Sequence, residues 1–317
     1  MSASDDSPWD EADLLLAIEI AERYYHRQES KLTIAADLNL SRFKVARILQ
    51  RSLDEGLVRI SIGGPRQRHT ELADQLRARY DLNHVVLVDM QALKKEERIR
   101  ELLGRAAATL VMRLVTENDV LGMGWGRSVN ATAAHIVQLP RCPVVQLGGI
   151  VGAPGENSTE PLRMLAATGA GESHPLYAPL LLPDAATAAG LRLQPGIAST
   201  LKMFDRTTIG VVAIGSWDPP NSQLRAHFST EQQQEMKDRG VRAEVCGVLL
   251  DGDGNALLPE VSERTIAIGG EQLRRIPTVI AVAGGLTKSK AIHSVLLGRY
   301  ATSLVTDVAV ARDLLAR

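Results

Sequence analysis

The sequence predicts an α/β body with a mostly parallel sheet, preceded by a small helical module with the order of a winged helix-turn-helix. Three observations carry this. From about residue 85 to the C-terminus, short β-rich apolar runs alternate with helical stretches. Three of those runs end in Gly-rich turns. Positive charge collects near the N-terminal end of a chain whose formal net charge is only −1.

The 317 residues suffice for about two domains at roughly 150 residues each. Residues 1–22 hold seven acids and no Lys or Arg, whereas residues 23–68 hold ten bases against four acids. The remaining residues balance at 26 of each sign. A basic module therefore precedes a neutral body, and the boundary is expected at residues 64 and 65.

In the module, Leu15, Leu16, Ile18, Ile20 and Tyr24 recur at helical spacing behind an acidic first turn, which predicts a helix over 12–25. A short second helix spans 31–38, with Ile34, Ala35 and Leu38 as its buried face, and Asn39 breaks it. Ser41 caps a third helix over 42–55, whose inner face is Val45, Ile48, Leu49 and Leu53, and Gly56 ends it. Leu57 to Ile62 alternate in polarity and predict a strand or wing, closed by Gly63, Gly64 and Pro65. Helix, short helix, turn, helix and wing is the order of a helix-turn-helix DNA reader. Ser41, Arg42, Lys44 and Arg47 then belong to the reading helix, with Arg51 and Arg59 flanking it. A small adaptor module with basic solvent faces has the same order and stays open as an alternative.

In the body, strands are predicted at 85–88, 120–123, 144–147, 176–182, 209–214, 245–250, 279–282 and 303–306. Helices are predicted at 94–117, 128–138, 230–239 and 289–297. Runs such as Val279 to Val282 are continuously apolar, as strands buried on both faces must be. The result is an open domain of Rossmann-like type. Ligands in such sheets sit beyond the carboxyl ends of strands, where Gly-rich turns lead into helix N-termini.

Gly122 to Ser128, Gly148 to Gly152 and Gly284 to Lys290 are turns of this kind. Glycines let backbone N–H groups approach an anion, and Arg127, Ser128 and Lys290 add charge and donors. The dinucleotide fingerprint fails, since Arg127 stands where its third Gly belongs, and no GxxxxGK[ST] loop exists. A small phosphorylated ligand fits better than a cofactor, and none is expected. Plain strand-to-helix connections have the same sequences and remain the bland alternative. Asp251 to Asn255 resembles a calcium loop only at first sight: Ala256 and Ser262 occupy the positions that need Gly and Glu, so a hairpin turn is expected. His84, His135, His174, His227 and His293 show no metal-ligand spacing, and no metal is expected. Lys202 and Lys288 read as solvated surface positions.

Composition excludes several classes. Only 3% of residues are aromatic, too few for a stacking platform that binds single strands or RNA. Cys142 and Cys246 form no CxxC pair and read as small apolar residues in a reducing compartment. No apolar run of about 18 residues and no secretion signal are present, so a cytoplasmic protein with no membrane partner is expected.

Five segments in this order resemble bacterial transcriptional regulators of the SorC family, often grouped with DeoR-type sugar regulators. They are LSRFKVARILQRSLDEGLVRISI, LGMGWGRSV, VVQLGGIVG, EVCGVLLDGDG and AVAGGLTKSKAIHSVLLGRYATSLVTDVAVARDLL. The resemblance spans almost the whole chain. It implies a DNA-binding, non-enzymatic regulator with an effector domain over 65–317 similar to sugar-phosphate isomerases and deaminases. It further implies a homo-oligomer, typically a tetramer, whose operator affinity responds to a phosphorylated sugar. Carried over residue by residue, it places Gly124, Gly126, Arg127, Ser128, Gln146, Gly148 and Gly149 around the effector. Gly284 and Gly285 join them, with Glu244 on sugar hydroxyls and Lys290 on the phosphate. Ala46 and Ala243 depart from the family's usual Ser and Gly. An active isomerase or deaminase, with Asp184 or Glu244 as general base, is the competing reading.

Overall fold

A computed structural model describes residues 9–58, 65–90, 96–150, 160–169 and 171–317. It divides into two compact units, Met1–Pro65 and Arg66–Arg317. Residues 59–62 of the predicted wing, Arg59 among them, lie outside the described residues.

The first unit packs α1 (Glu11–Ala21), α2 (Lys31–Asp37) and α3 (Arg42–Asp54), with a π-helical turn at Glu22–His26 continuing α1. Its core is Ile20, Ala21, Ile34, Ala35, Val45 and Leu49; the spacing found the inner positions of α2 and α3, but in α1 Leu15 and Ile18 are exposed and the unselected Ala21 is buried. Asn39 adopts φ 54°, so the chain reverses between α2 and α3 in the left-handed conformation that Asn tolerates. Ser41 caps α3 by accepting from Lys44 N at 3.1 Å. Arg23 donates to Glu29 at 2.8 Å and also pairs with Asp37, tying the loop before α2 to α2 itself.

In the second unit, α4 (Pro65–Tyr80), β1 (His84–Val88), α5 (Glu96–Leu114), β2 (Leu121–Met123), α6 (Arg127–His135) and β3 (Val144–Gln146) come first. Then follow α7 (Glu160–Ala167), β4 (Ser173–His174), α8 (Ala185–Arg192), α9 (Pro195–Met203), β5 (Ile209–Ala213), β6 (Gly215–Ser216) and α10 (Thr230–Asp238). The chain ends with β7 (Ala243–Val245), β8 (Val248–Leu250), β9 (Ala256–Leu257), α11 (Pro259–Glu263), α12 (Gly270–Arg275), β10 (Thr278–Val282), α13 (Ser289–Leu297), β11 (Ser303–Asp307) and α14 (Val308–Ala316).

Seven strands form one sheet in the order β1-β11-β10-β5-β2-β3-β4, every pair parallel. Side chains of β10 alternate between two cores: Val279 and Ala281 pack with α4, α13 and α14, while Ile280 and Val282 pack with α5 and α6. Burial on both faces explains the continuous apolar runs. From β2 the strand order proceeds outward through β3 and β4, and from β5 it proceeds the other way through β10 and β11. The switch point between β2 and β5 opens a crevice at the carboxyl ends of the strands.

Two predicted strands differ. The run 245–250 is not one strand but part of a hairpin, in a second, antiparallel sheet of order β6-β7-β8-β9. Val245 pairs with Val248, and the two residues between them, Cys246 and Gly247, have φ 47° and 80°. Positive φ at both central positions is the turn that suits a two-residue hairpin. Asp251 to Asn255 then closes the β8–β9 hairpin, as expected, with Asp251 N donating to Asn255 O at 3.0 Å. The run 176–182 makes only isolated bridges, at Pro179 and Leu181. Pro175, Pro179 and Pro183 remove ladder donors there, and the edge strand forms one step earlier as β4.

Candidate functional site

A cleft of about 270 Å³ opens at the switch point. Its floor and walls come from the turns after β2, β5 and β10, together with β7 of the small sheet and α5. The β2 turn supplies Trp125, Gly126, Arg127 and Ser128, with Gly126 at φ 115° delivering the chain into α6. No side chain caps α6, so its first amides face the cleft end of the helix with the positive end of the helix dipole. The β10 turn supplies Gly284, Gly285 and the single 3-10 turn Leu286–Lys288. Gly285 N is held by Asp307 Oδ2 at 2.7 Å.

Glu244 forms the base of the cleft and is 5% exposed. Its Oε1 accepts from Gly247 N at 2.9 Å and its Oε2 from Ser222 Oγ at 3.1 Å. Burial pushes its pKa up from the ordinary 4.5, and the Gly247 amide, the Ser222 hydroxyl and the charge of Lys288 oppose that push. A side chain at position 215 would displace it: a Cβ on Gly215 would lie 2.6 Å from Glu244 Oε2 and 2.8 Å from Ser222 Cβ, so one of these neighbours must shift. Burial also raises the thiol pKa of neighbouring Cys246, and the Glu244 charge adds to it. Lys288 Nζ donates to Ile214 O at 2.9 Å, joining the β10 turn to the β5 turn. Arg127 donates to Asn221 Oδ1 at 3.1 Å. Gln223 Oε1 is buried in the same wall without a hydrogen-bond partner. A buried carbonyl oxygen left unpaired costs free energy that a ligand hydroxyl or ammonium can recover.

The cleft thus gathers two cations, Arg127 and Lys288, helix and turn amides, the Glu244 carboxylate, the side-chain amides of Asn221 and Gln223 and the Ser222 hydroxyl. That donor and acceptor set suits an anionic group joined to a polyhydroxylated body. Among the described residues no three His, Cys, Asp or Glu gather as a metal site, and no helix is long and apolar enough to cross a membrane.

In the first unit, Ser41 at the cap and Arg42, Lys44 and Arg47 on α3 are exposed; of these Arg47 lies on the side of the helix away from the buried Val45, Leu49 and Ser52. Arg51 is engaged within the unit: its guanidinium pairs with Glu55 at 2.6 Å and lies over the Trp9 ring at 4.0 Å.

A family model described as "Putative sugar-binding domain" matches residues 65–316. The chain belongs to the SorC family of transcriptional regulators. It is 27% identical over 312 residues to the sorbitol operon regulator of Klebsiella pneumoniae, covering 96% of this chain and 98% of that one. It is 28% identical to the deoxyribonucleoside regulator of Bacillus subtilis over 94% of this chain and 96% of the relative. The crystal structure of full-length SorC from Klebsiella pneumoniae superposes with a TM-score of 0.73 at 26% identity, covering 96% of this chain and all of that one.

For this SorC-family chain, the predicted ligand residues fall into two groups. Gly126, Arg127, Ser128, Glu244, Gly284 and Gly285 line the cleft. Gly124, Gln146, Gly148, Gly149 and Lys290 do not. Gly124 N donates to Val211 O at 2.8 Å in strand fashion. Gln146 bridges backbone, donating to Gly148 O at 2.8 Å and accepting from Leu176 N at 3.2 Å. Gly148 is glycine because Trp125 packs on it, with a Cβ there 2.2 Å from the indole, and Gly149 is pressed against Ala178 O. Lys290 is exposed and does not line the cleft, whereas Lys288, which the sequence places on the surface, does. The two positions differ by about 200° around a helix, and the 3-10 turn keeps Lys288 on the cleft side. Asp184 lies outside the cleft, capping α8 through Thr187 N at 2.7 Å. Sequence reasoning missed Trp125, Gly215, Asn221, Ser222 and Gln223. The signal available was the polar turn Asn221-Ser222-Gln223 after a buried strand, which carries no Gly-rich signature.

Proposed function

We propose that this protein controls an operon of carbohydrate metabolism by binding operator DNA through α3 and a phosphorylated sugar through the cleft of its second unit. The observation that carries this reading is the placement of Lys288 and Glu244 in one cleft at the switch point of the sheet. Lys288, Arg127 and the amides at the start of α6 receive the phosphate, and Glu244 with Gln223 receives sugar hydroxyls. The protein acts in the cytoplasm as a homo-oligomer, a tetramer on the family pattern, so that paired α3 helices meet half-sites about one helical turn or a multiple apart.

The effector changes operator affinity only by binding the DNA-competent and DNA-incompetent arrangements unequally, and coupling of roughly 1 to 3 kcal/mol is typical. Each oxygen of Glu244 accepts one hydrogen bond, from Gly247 N or Ser222 Oγ, and keeps a second lone pair for a ligand hydroxyl. A thermal-shift screen of free and phosphorylated sugars tests the reading. A ligand at 100 times its Kd stabilises the folded unit by about 2.7 kcal/mol. Stabilisation by a phosphorylated sugar, absent with its free counterpart, is expected. Turnover of ribose, deoxyribose or glucosamine phosphates by the purified protein would establish the enzymatic alternative instead.

A further inference from the structure

We infer that Phe43 reads thymine methyl groups in the operator, making it the apolar element of sequence recognition. Phe43 is 87% exposed at the second position of α3. The core of the first unit, built on Ile20, Ile34, Val45 and Leu49, does not use it. Helical phase places it almost directly opposite that core: Val45, Leu49 and Ser52 lie about 180° to 240° around the axis from it. Arg47, one turn on, and Gln50, two turns on, fall within about 40° of Phe43 and are also exposed. Arg42 and Lys44 fall about 100° to either side of this ridge.

An apolar ring and an Arg along the crest of the helix, with cations on its two slopes, matches the cross-section of a major groove. Base edges lie at the groove floor and phosphates at both walls. Thymine is the base that presents a methyl group there, and an aromatic side chain is an apolar partner for it. The inference rests on the DNA-binding reading above. Within that reading it assigns the exposed ring to the groove floor, against a contact between copies of the chain.

The test begins with selection of duplexes from a random library by the full-length protein, with and without a mixture of sugar phosphates. The tightest duplex is resynthesised with deoxyuridine replacing thymidine at one position at a time, which deletes only the methyl. Loss of one buried methyl weakens the wild-type protein about fourfold at one or two positions. Phe43→Ala, which leaves the core untouched and whose fold is checked by circular dichroism, binds thymidine and deoxyuridine duplexes alike at those positions. Arg47→Ala weakens binding while keeping the methyl effect. No methyl effect in the wild type, or one that persists in Phe43→Ala, overturns the inference and leaves DNA binding standing. A lower oligomeric mass of free Phe43→Ala in sedimentation reassigns the ring to a contact between copies and overturns it too. If no duplex is enriched in either condition, the DNA-binding reading fails and the inference fails with it.

Discussion

In the proposed function two charged side chains of the cleft, Lys288 and Glu244, divide the work. Lys288→Ala is expected to abolish the sugar-phosphate thermal shift, whereas Lys290→Ala, on the exposed side, retains it. The reverse result in the same assay would restore Lys290 as the phosphate residue. Glu244 gives a pH-dependent outcome with a definite sign. Its folded pKa lies above the ordinary 4.5, so between these two values the folded chain holds a proton that the unfolded chain has lost. Stability from this group is therefore present below about pH 4.5 and is lost as pH rises through the folded pKa. Glu244→Gln keeps an acceptor for Gly247 N and a donor for Ser222 Oγ while removing the buried charge. Its melting temperature is expected to exceed the wild type at neutral pH and to lose that decline, while its effector response falls. Thermal melts from pH 4.5 to 8, compared with the wild type, check it. Greater stability with lost response is the usual relation between a binding site and the fold that carries it.

At the scale of elements, α3 begins on a residue that the sequence reads in two ways. Ser41 was expected both as helix cap and as DNA contact, and the structure gives it the cap, through Lys44 N. Ser41→Ala should destabilise the first unit by about 1 kcal/mol and Ser41→Gly by only a few tenths, read from urea unfolding monitored at the Tyr24 and Tyr25 cluster. Elements with one dominant period were legible in the sequence: α3 from its Val45 and Leu49 face, β10 from its unbroken apolar run. The β7–β8 hairpin was not, because Cys246 and Gly247 interrupt neither the apolar run nor the burial, and only positive φ at both residues makes the reversal. That reversal carries the Gly247 amide to Glu244, so missing the turn meant missing half of the carboxylate's environment. Local pattern likewise distinguished Gly-rich turns from other segments but could not separate ligand turns from packing turns. Gly285 borders the cleft and Gly148 borders the Trp125 ring, and what decides between them is contact between segments distant in sequence.

Across the whole molecule, the near-zero net charge conceals a division of labour that salt can expose. Residues 1–22 hold seven acids and no Lys or Arg, residues 23–68 hold ten bases against four acids, and only residues 69–317 balance, so on the proposed reading attraction to DNA comes from the stretch 23–68 and not from the first unit as a whole, while the cleft cations act at short range. Phosphate contacts release counterions, so the logarithm of the association constant falls with the logarithm of salt at about 0.9 per neutralised phosphate. Arg42 and Lys44, on the slopes of α3, face phosphates in this arrangement. The double variant Arg42→Ala, Lys44→Ala is therefore expected to flatten the salt slope by about 1.8 for every bound chain, with little change in sequence preference. Arg47→Ala, on the crest, should weaken the preferred operator by roughly 1 to 3 kcal/mol and relax its sequence preference, with at most a small change in slope. Lys288→Ala should leave the slope of the effector-free protein unaltered. Binding titrations at four salt concentrations on a preferred and a scrambled duplex separate these outcomes. Equal slope changes for the crest and slope variants would mean that α3 lies on the DNA by its flank, and that its exposed face is not the one that reads.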